Sequence, residues 1–423
     1  MKKITVLFVF FLTLNSIAQN TLTLDDCYKL VNKNYPLAAQ PELLNKQKDL
    51  AITAINKLRL PQLNFAIKST YQSDVTFVDV PLPNVKVPAP NKDQYRTTLT
   101  ANQLIYQGGL IAAQTKAKEL ALQIKQSAVN VSLYKLKQKV NQFYFSILLQ
   151  DKKKNLLLEK QKEIVSRLDE VNSAIKNGVV LASSNALLKA ELLNVKQQIF
   201  EAKSVKKALI NSLSQLIGKP LVKTVQLQQP HTLVNNINTI NRPELHYFDL
   251  QKQEITLKNN LLSKSVAPKI SAFAQGGYGN PGLNLFDHNF AAYYMVGLQL
   301  NWHIFDWYKN KKERQSLKIN KQLIDTQKET FKLNINLKSI NYLAAINTLK
   351  ALINTDRKII PLRETVLKTA KSELKNGVIT PSTYITELTR LYIAKTNLKT
   401  HQIKLEWTKI NYLTSTGNYE NKY

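Results

Sequence analysis

Lys176-Asn177-Gly178-Val179 returns 199 positions later as Lys375-Asn376-Gly377-Val378, and this return decides how the chain is read. Gly218 returns at the same offset as Gly417. Toward the N-terminus the offset becomes 207: Pro36 and Pro61 match Pro243 and Pro268. The change falls between Tyr71/Tyr278 and Tyr95/Tyr294, so one connection is shorter in the second half. A duplication of about 200 residues means two similar halves, each needing the other or a neighbouring chain to cover its faces.

Upstream of each Lys-Asn-Gly lies a very long helical stretch. Leu110 to Ile175 holds no proline and no glycine, and as one helix would reach ~100 Å. Asn310 to Asn376 also lacks glycine, and Pro361 within it predicts a kink or break. After each turn a helix returns. Leu188, Leu192, Val195, Ile199, Ala202, Leu209, Leu213 and Leu216 follow 4,3 spacing, with Lys206 at the missing position. Leu391, Leu398, Leu405 and Tyr412 recur every seven residues. Such stripes predict coiled-coil packing.

Before each long helix the period changes to two. Leu63, Phe65, Ile67 and Tyr71 alternate with polar residues, and Tyr95, Thr97, Leu99 and Ala101 form one face of a second strand. Between them, Pro81, Pro83, Pro88 and Pro90 mark a long loop. The second half repeats this with Ile270, Ala272, Ala274 and Tyr278, then Tyr294, Val296, Leu298, Leu300 and Trp302. Each half thus holds one hairpin. Thr23-Leu24-Asp25-Asp26 predicts a capping box opening the first helix, and the second helix is expected over Leu37–Leu58, stopping before Pro61.

Residues 1–18 read as a secretory signal: Lys2 and Lys3, a short apolar run from Ile4 to Leu14, and Ser16-Ile17-Ala18 as the cleavage pattern. The expected divisions are then 19–220 as first repeat (hairpin about 60–106, helical hairpin about 110–217) and 221–241 as connector. The second repeat is 242–417 (hairpin about 268–305, helical hairpin about 309–416), and 418–423 is a tail. Cys27 stands alone, which excludes an intrachain disulfide; it reads as a small apolar residue rather than a lipidated N-terminus. Removing Lys2 and Lys3 from the net charge of +30 leaves +28. The lysines are spread over polar helix faces with no block of interleaved aromatics. They read as a solvated surface, not a nucleic-acid site.

No later stretch is apolar enough for a membrane helix, but the hairpins suit a membrane in another way. Their apolar faces include Leu63, Phe65, Ile67, Leu99, Val296, Leu298, Leu300 and Trp302, expected to face lipid. Tyrosines and Trp302 lie near strand ends, where interfacial aromatics belong, and the opposite faces carry Lys68, Arg96 and Lys269. Four strands cannot close a barrel, and open edges are not viable in lipid. Three chains would supply twelve.

The chain resembles the TolC family of outer-membrane efflux and secretion channels. The resemblance rests on the helix–hairpin–long-helix duplication, on Leu104-Ile105-Tyr106-Gln107-Gly108-Gly109 closing the second strand and on Ile304-Phe305-Asp306 at the equivalent place. Arg242-Pro243-Glu244-Leu245 opening the second half and the glycines of the two turns complete it. It implies a mainly α fold with a membrane β-barrel contribution, four strands per chain in a shared trimeric twelve-stranded barrel on a coiled-coil α-barrel. It also implies a passive conduit for small toxic molecules or proteins, in the outer membrane of a Gram-negative bacterium with a long periplasmic extension. The implied partners are two further copies, outer-membrane lipid, a periplasmic adaptor of the membrane-fusion type and an inner-membrane RND or ABC transporter. Gly178, Val179, Val180, Gly377, Val378 and Ile379 would form adaptor-docking tips; the alternative for the apolar residues is closure of each helical hairpin on itself. Family members carry aspartates just past the second tip. The matching positions here are Thr383 and Thr386, with Glu387 adjacent, so an acidic constriction is not expected.

Nothing in the sequence argues for an enzyme, a cofactor or a metal. His231, His246, His288, His303 and His401 are scattered, and Gly276-Gly277-Tyr278-Gly279 lacks the lysine and helix of a phosphate loop. Two other functions compete: a soluble periplasmic coiled-coil scaffold or adaptor, and an exported basic nucleic-acid binder, which would bind DNA in a salt-dependent way.

Overall fold

A computed structural model describes residues 21–76, 78, 89–176, 182–221, 225–234 and 239–419. The expected signal and the first turn, with Gly178, Val179 and Val180, lie outside these residues. The element order is β1 (Thr21–Leu22), α1 (Leu24–Asn34), α2 (Gln40–Lys57), β2 (Gln62–Tyr71), β3 (Asp93–Tyr106), α3 (Leu110–Lys176) and α4 (Ala182–Ile217). Then follow β4 (Gln226–Leu227), α5 (Pro243–Ser265), β5 (Lys269–Asn280), β6 (Ala291–Asn301), α6 (Lys309–Lys375) and α7 (Pro381–Thr416). The duplication is literal: α3 and α6 have 67 residues each, and α4 and α7 have 36 each.

The chain divides into two compact units that cut across the repeats, each drawing on both. One holds the residues up to Ala38, Ser132–Arg242 and those from Asn334 on; the other holds Ala39–Val131 and Pro243–Leu333.

In the first unit, one apolar cluster gathers Tyr28 and Val31 of α1, Val140, Tyr144 and Phe145 of α3, Leu213 and Ile217 of α4, and Ile403 and Ile410 of α7. The capping box holds α1 as expected: the Thr23 Oγ1 accepts from the Asp26 amide at 3.1 Å, and Asp26 Oδ2 accepts from the Thr23 amide at 3.2 Å. Cys27 is wholly buried on α1. Burial, then the Asp26 and Asp25 carboxylates, push its thiol up to about 12, so it stays protonated and unreactive. The 221–241 connector contributes β4, which pairs in parallel with β1, a pairing too short to leave a periodic signal. The Tyr144 hydroxyl lies within hydrogen-bond reach of the Leu22 and Gln228 carbonyls, at 2.8 and 2.6 Å, and ties the two strands to α3.

A second cluster in this unit packs Ile164, Leu168 and Val171 of α3, Leu188, Val195 and Ile199 of α4, Ala370 and Leu374 of α6, and Tyr384 and Leu388 of α7. The α4 stripe is buried at Leu188, Val195, Ile199, Ala202, Ile210, Leu213 and Ile217, while Leu209 and Leu216 are only partly buried. From Ala202 the stripe steps 4, 4, 3 through Lys206 and Ile210 to Leu213, an eleven-residue interval. A straight helix drifts about 20° per heptad against a 3.5 repeat, and such an interval absorbs the drift. Lys206, inside that interval, bonds Asp151 of α3 at 2.5 Å. Pro361 does not break α6, which runs through it as one helix. A proline removes one ladder bond, and the rest of a 67-residue helix is intact around it. The second helix also differs from expectation: Pro36–Ala39 form a 3₁₀ turn and α2 starts at Gln40.

The second unit contains a four-stranded antiparallel sheet of order β2-β3-β5-β6. The two hairpins join through β3 and β5, with a bulge between Leu104 and Tyr106.

Candidate functional site

The sheet register separates two faces. Lys68 opposes Arg96, Arg96 opposes Gly279, and Gly277 opposes Tyr293. Residues directly opposite share a face, so this face also carries Asn64, Thr98, Thr100, Gln275 and Gln299. The other carries Leu63, Phe65, Ile67, Leu99, Val296, Leu298 and Leu300. These seven are exposed by between 52% (Leu99) and 74% (Leu298). A soluble sheet would turn such a face onto a core. Trp302, one residue past β6, is 56% exposed and donates its indole N–H to the Val266 carbonyl at 3.2 Å. The long strands β2 and β6 are the two edges of the sheet.

At the ends of β3 and β6 the chain turns into the long helices through a left-handed pair. In the first repeat it is Gly108-Gly109, with φ of 57° and 75°. In the second, at the same 199 offset, it is Trp307-Tyr308, with φ of 51° and 62°. Gly108 has no room for a side chain, because an added Cβ would lie 2.3 Å from the Ala267 Cβ. Trp307 and Tyr308 are both exposed, and their rings pack edge-on against Phe305 at 5.0 and 5.9 Å. Sequence reading singled out Ile304-Phe305-Asp306 but missed this pair. The offset alone would have found it.

In the first unit, the second turn ends α6 in a Schellman motif. The Val378 amide donates to the Glu373 carbonyl at 2.9 Å and the Gly377 amide to the Leu374 carbonyl at 3.2 Å, with Gly377 at φ 73°. Val378 projects outward, 71% exposed, while Ile379 packs against the α3/α4/α7 cluster. Hairpin closure therefore uses Ile379 and leaves Val378 free of it. Thr380 caps α7 by accepting from the Thr383 amide at 3.3 Å, and Pro381 takes the first helical turn.

Thr383 and Thr386 are exposed, the Thr386 hydroxyl donating to the Ser382 carbonyl. Glu387 accepts from Arg363 at 3.2 Å and from Arg390 at 2.5 Å. One carboxylate held by two guanidinium groups leaves no net negative charge there. One turn back, the Tyr384 hydroxyl donates to Glu163 at 2.8 Å while the Arg167 guanidinium sits 4.9 Å from its ring centre. Burial, then the Glu163 bond and charge, hold the Tyr384 phenol neutral, well above its ordinary range. Among the described residues no cluster of His, Cys, Asp or Glu is suited to a metal.

No family model matches the chain, and no curated protein matches it in sequence. Solved structures do. The outer membrane protein VceC of Vibrio cholerae superimposes with a TM-score of 0.67 at 14% identity, covering 93% of this chain and 96% of its own. The MtrE outer membrane channel of Neisseria gonorrhoeae, in its open state, gives 0.66 at 15%, covering 93% and 88%. The CmeC outer membrane channel of Campylobacter jejuni gives 0.66 at 13%, covering 95% and 87%. The fold is that of the TolC-family channels. At these identities the fold is what is shared, and the TolC-type plan extends over nearly the whole chain. It accounts for two hairpins meeting in one sheet, which periodicity alone left as separate pairs. On this TolC-type frame the second turn is followed by Thr383 and Thr386, and Glu387 is paired with Arg363 and Arg390, a pairing the sequence did not show.

Proposed function

We propose that this protein is the outer-membrane channel of a tripartite efflux or type I secretion system. It is a passive conduit and not an enzyme, with energy supplied by an inner-membrane RND or ABC transporter through a periplasmic adaptor. The observation that carries this reading is the four-stranded sheet, whose large apolar side chains on one face are more than half exposed and which has two long edges, on a TolC-type frame. In lipid such edges must be paired, and pairing β6 of one copy with β2 of the next closes a twelve-stranded barrel from three copies. The apolar face then meets acyl chains and the Lys68/Arg96 face lines water.

A second observation supports the trimer. α6 exposes Leu333, Leu337 and Ile340, then Leu352, Ile359, Leu362 and Val366, at spacings of three, four and seven. Among the described residues this is a coiled-coil stripe that stays 38–69% exposed, suited to the helices of a neighbouring copy. Gly178, Val179, Val180, Gly377, Val378 and Ile379 form the adaptor-facing tips in this reading, with exposed Val378 the principal apolar contact at the second. The competing soluble scaffold has no use for the apolar sheet face.

The test is the native mass of protein extracted from outer-membrane fractions in mild detergent. A mass of three mature chains is expected. A monomer in the soluble periplasmic fraction would end the channel reading.

A further inference from the structure

The watery face of the sheet has a charge of one sign. Its strand positions on β2, β3, β5 and β6 include Lys68, Arg96 and Lys269 and not a single aspartate or glutamate. Lys68 and Arg96 stand directly opposite each other across β2 and β3. Like charges in that position repel, so folding alone gives no reason to place them there. Among the described residues neither has an acidic partner; Arg96 instead lies 6.0 Å from the ring centre of Tyr293. The glycines of β5 clear the floor beneath them. A Cβ on Gly277 would lie 2.4 Å from the Tyr293 ring, and one on Gly279 would lie 3.1 Å from the Arg96 Cα. Around the two cations the strands leave a polar cavity of about 260 Å³, lined also by Thr70 and Gln94 of the same face and bounded at the strand ends by Tyr71, Gln72 and Asn280. Asn280 donates to the His288 carbonyl at 2.7 Å and leaves its buried Oδ1 without a partner among the described residues, an acceptor for a solute hydroxyl or a hydration water.

We infer that Lys68 and Arg96 form an anion-binding station in the lumen of the barrel, and that the channel favours small anionic solutes such as carboxylates and phosphates. The inference rests on the conduit reading, which puts this face toward water. A guanidinium and an ammonium side by side, with amide and hydroxyl neighbours, match an oxyanion's acceptors, and an unneutralised pair repels cations by the same field. Repeated in three copies, the pair becomes a ring of six positive charges, the arrangement by which pores select anions.

Two measurements on the full-length protein test this. In planar bilayers under a KCl gradient, the reversal potential should show chloride as the main carrier. Lys68→Gln/Arg96→Gln should lower the chloride-to-potassium permeability ratio about fivefold while conductance persists. In detergent, inorganic phosphate should slow acylation of Lys68 relative to other exposed lysines in the wild type, and Arg96→Gln should abolish that protection. Cation-selective current, or a ratio unmoved by the double substitution, overturns the inference and leaves the conduit standing. Phosphate protection in a protein that inserts but passes no current keeps the anion station and overturns the conduit. Loss of both signals overturns both.

Discussion

Gly108 and Trp307 hold the same left-handed backbone at equivalent places, φ 57° and 51°, and only one of them is glycine. The difference is space. Beside Gly108 the Ala267 Cβ leaves no room for a side chain, whereas Trp307 projects 84% exposed. Gly108→Ala should therefore lose about 2–4 kcal/mol, from the left-handed strain and the clash together. Gly377→Ala, with nothing within 4 Å of an added Cβ, should lose only about 1 kcal/mol. Denaturant unfolding of the detergent-solubilised variants compares the two. Asp151 supplies a pH test. Burial by itself would raise its carboxyl, but the bonds and charges of Lys206 and Lys154 outweigh that and hold it below its ordinary 3.8. A depressed folded-state value means the stabilisation is complete above 3.8 and fades as pH falls toward the lowered value. Asp151→Asn should be less stable than wild type at pH 7, with the gap narrowing as the pH falls below 3.8. A gap of equal size above and below that pH would show that the pairing contributes nothing.

At the scale of elements, alternation in β2, β3, β5 and β6 was readable residue by residue, because a period of two survives any tertiary context. Alternation alone does not say whether the apolar face meets lipid or a core, since a soluble sheet and a membrane sheet alternate alike; the strand-end aromatics and the charged opposite face were the sequence's pointers to lipid. The faces separate two neighbouring positions cleanly. Leu298→Arg puts a charge on the exposed apolar face and should cost about 2–4 kcal/mol of insertion near mid-bilayer. Gln299→Arg, on the polar face, should insert normally; membrane fractionation reads both. The α4 stripe shows the opposite limit. A strict 4,3 count chose Leu209 and Leu216, but the packed helix buries Ile210 and Ile217. The misfit of 3.5 and 3.6 accumulates along a 36-residue helix and is settled only by the neighbours it meets. The second turn divides similarly between adjacent residues. Val378→Asp should impair export, seen as increased drug susceptibility, with insertion and native mass unchanged. Ile379→Asp should also loosen the α6/α7 hairpin, because Ile379 packs against its core.

At the scale of the molecule, the exposed α6 seam makes assembly separable from folding. Leu337 is 51% exposed and lies outside the chain's own buried clusters. Leu337→Asp should retain helical circular dichroism and lower the native mass in mild detergent below three chains. The sequence by itself determined the duplication, the two hairpins, the two pairs of long and returning helices and the capped first helix. All are local or periodic: proline and glycine at fixed offsets, apolar residues every two or every three to four positions. Only the tertiary structure decided that β3 pairs with β5, that β1 and β4 meet across about 200 residues, and that Glu387 lies between Arg363 and Arg390. It also decided that the two compact units are cut across the repeats. These are contacts between segments far apart in the chain. Their energy comes from shape and charge brought together by packing, and a periodic pattern holds no record of which partner it will meet.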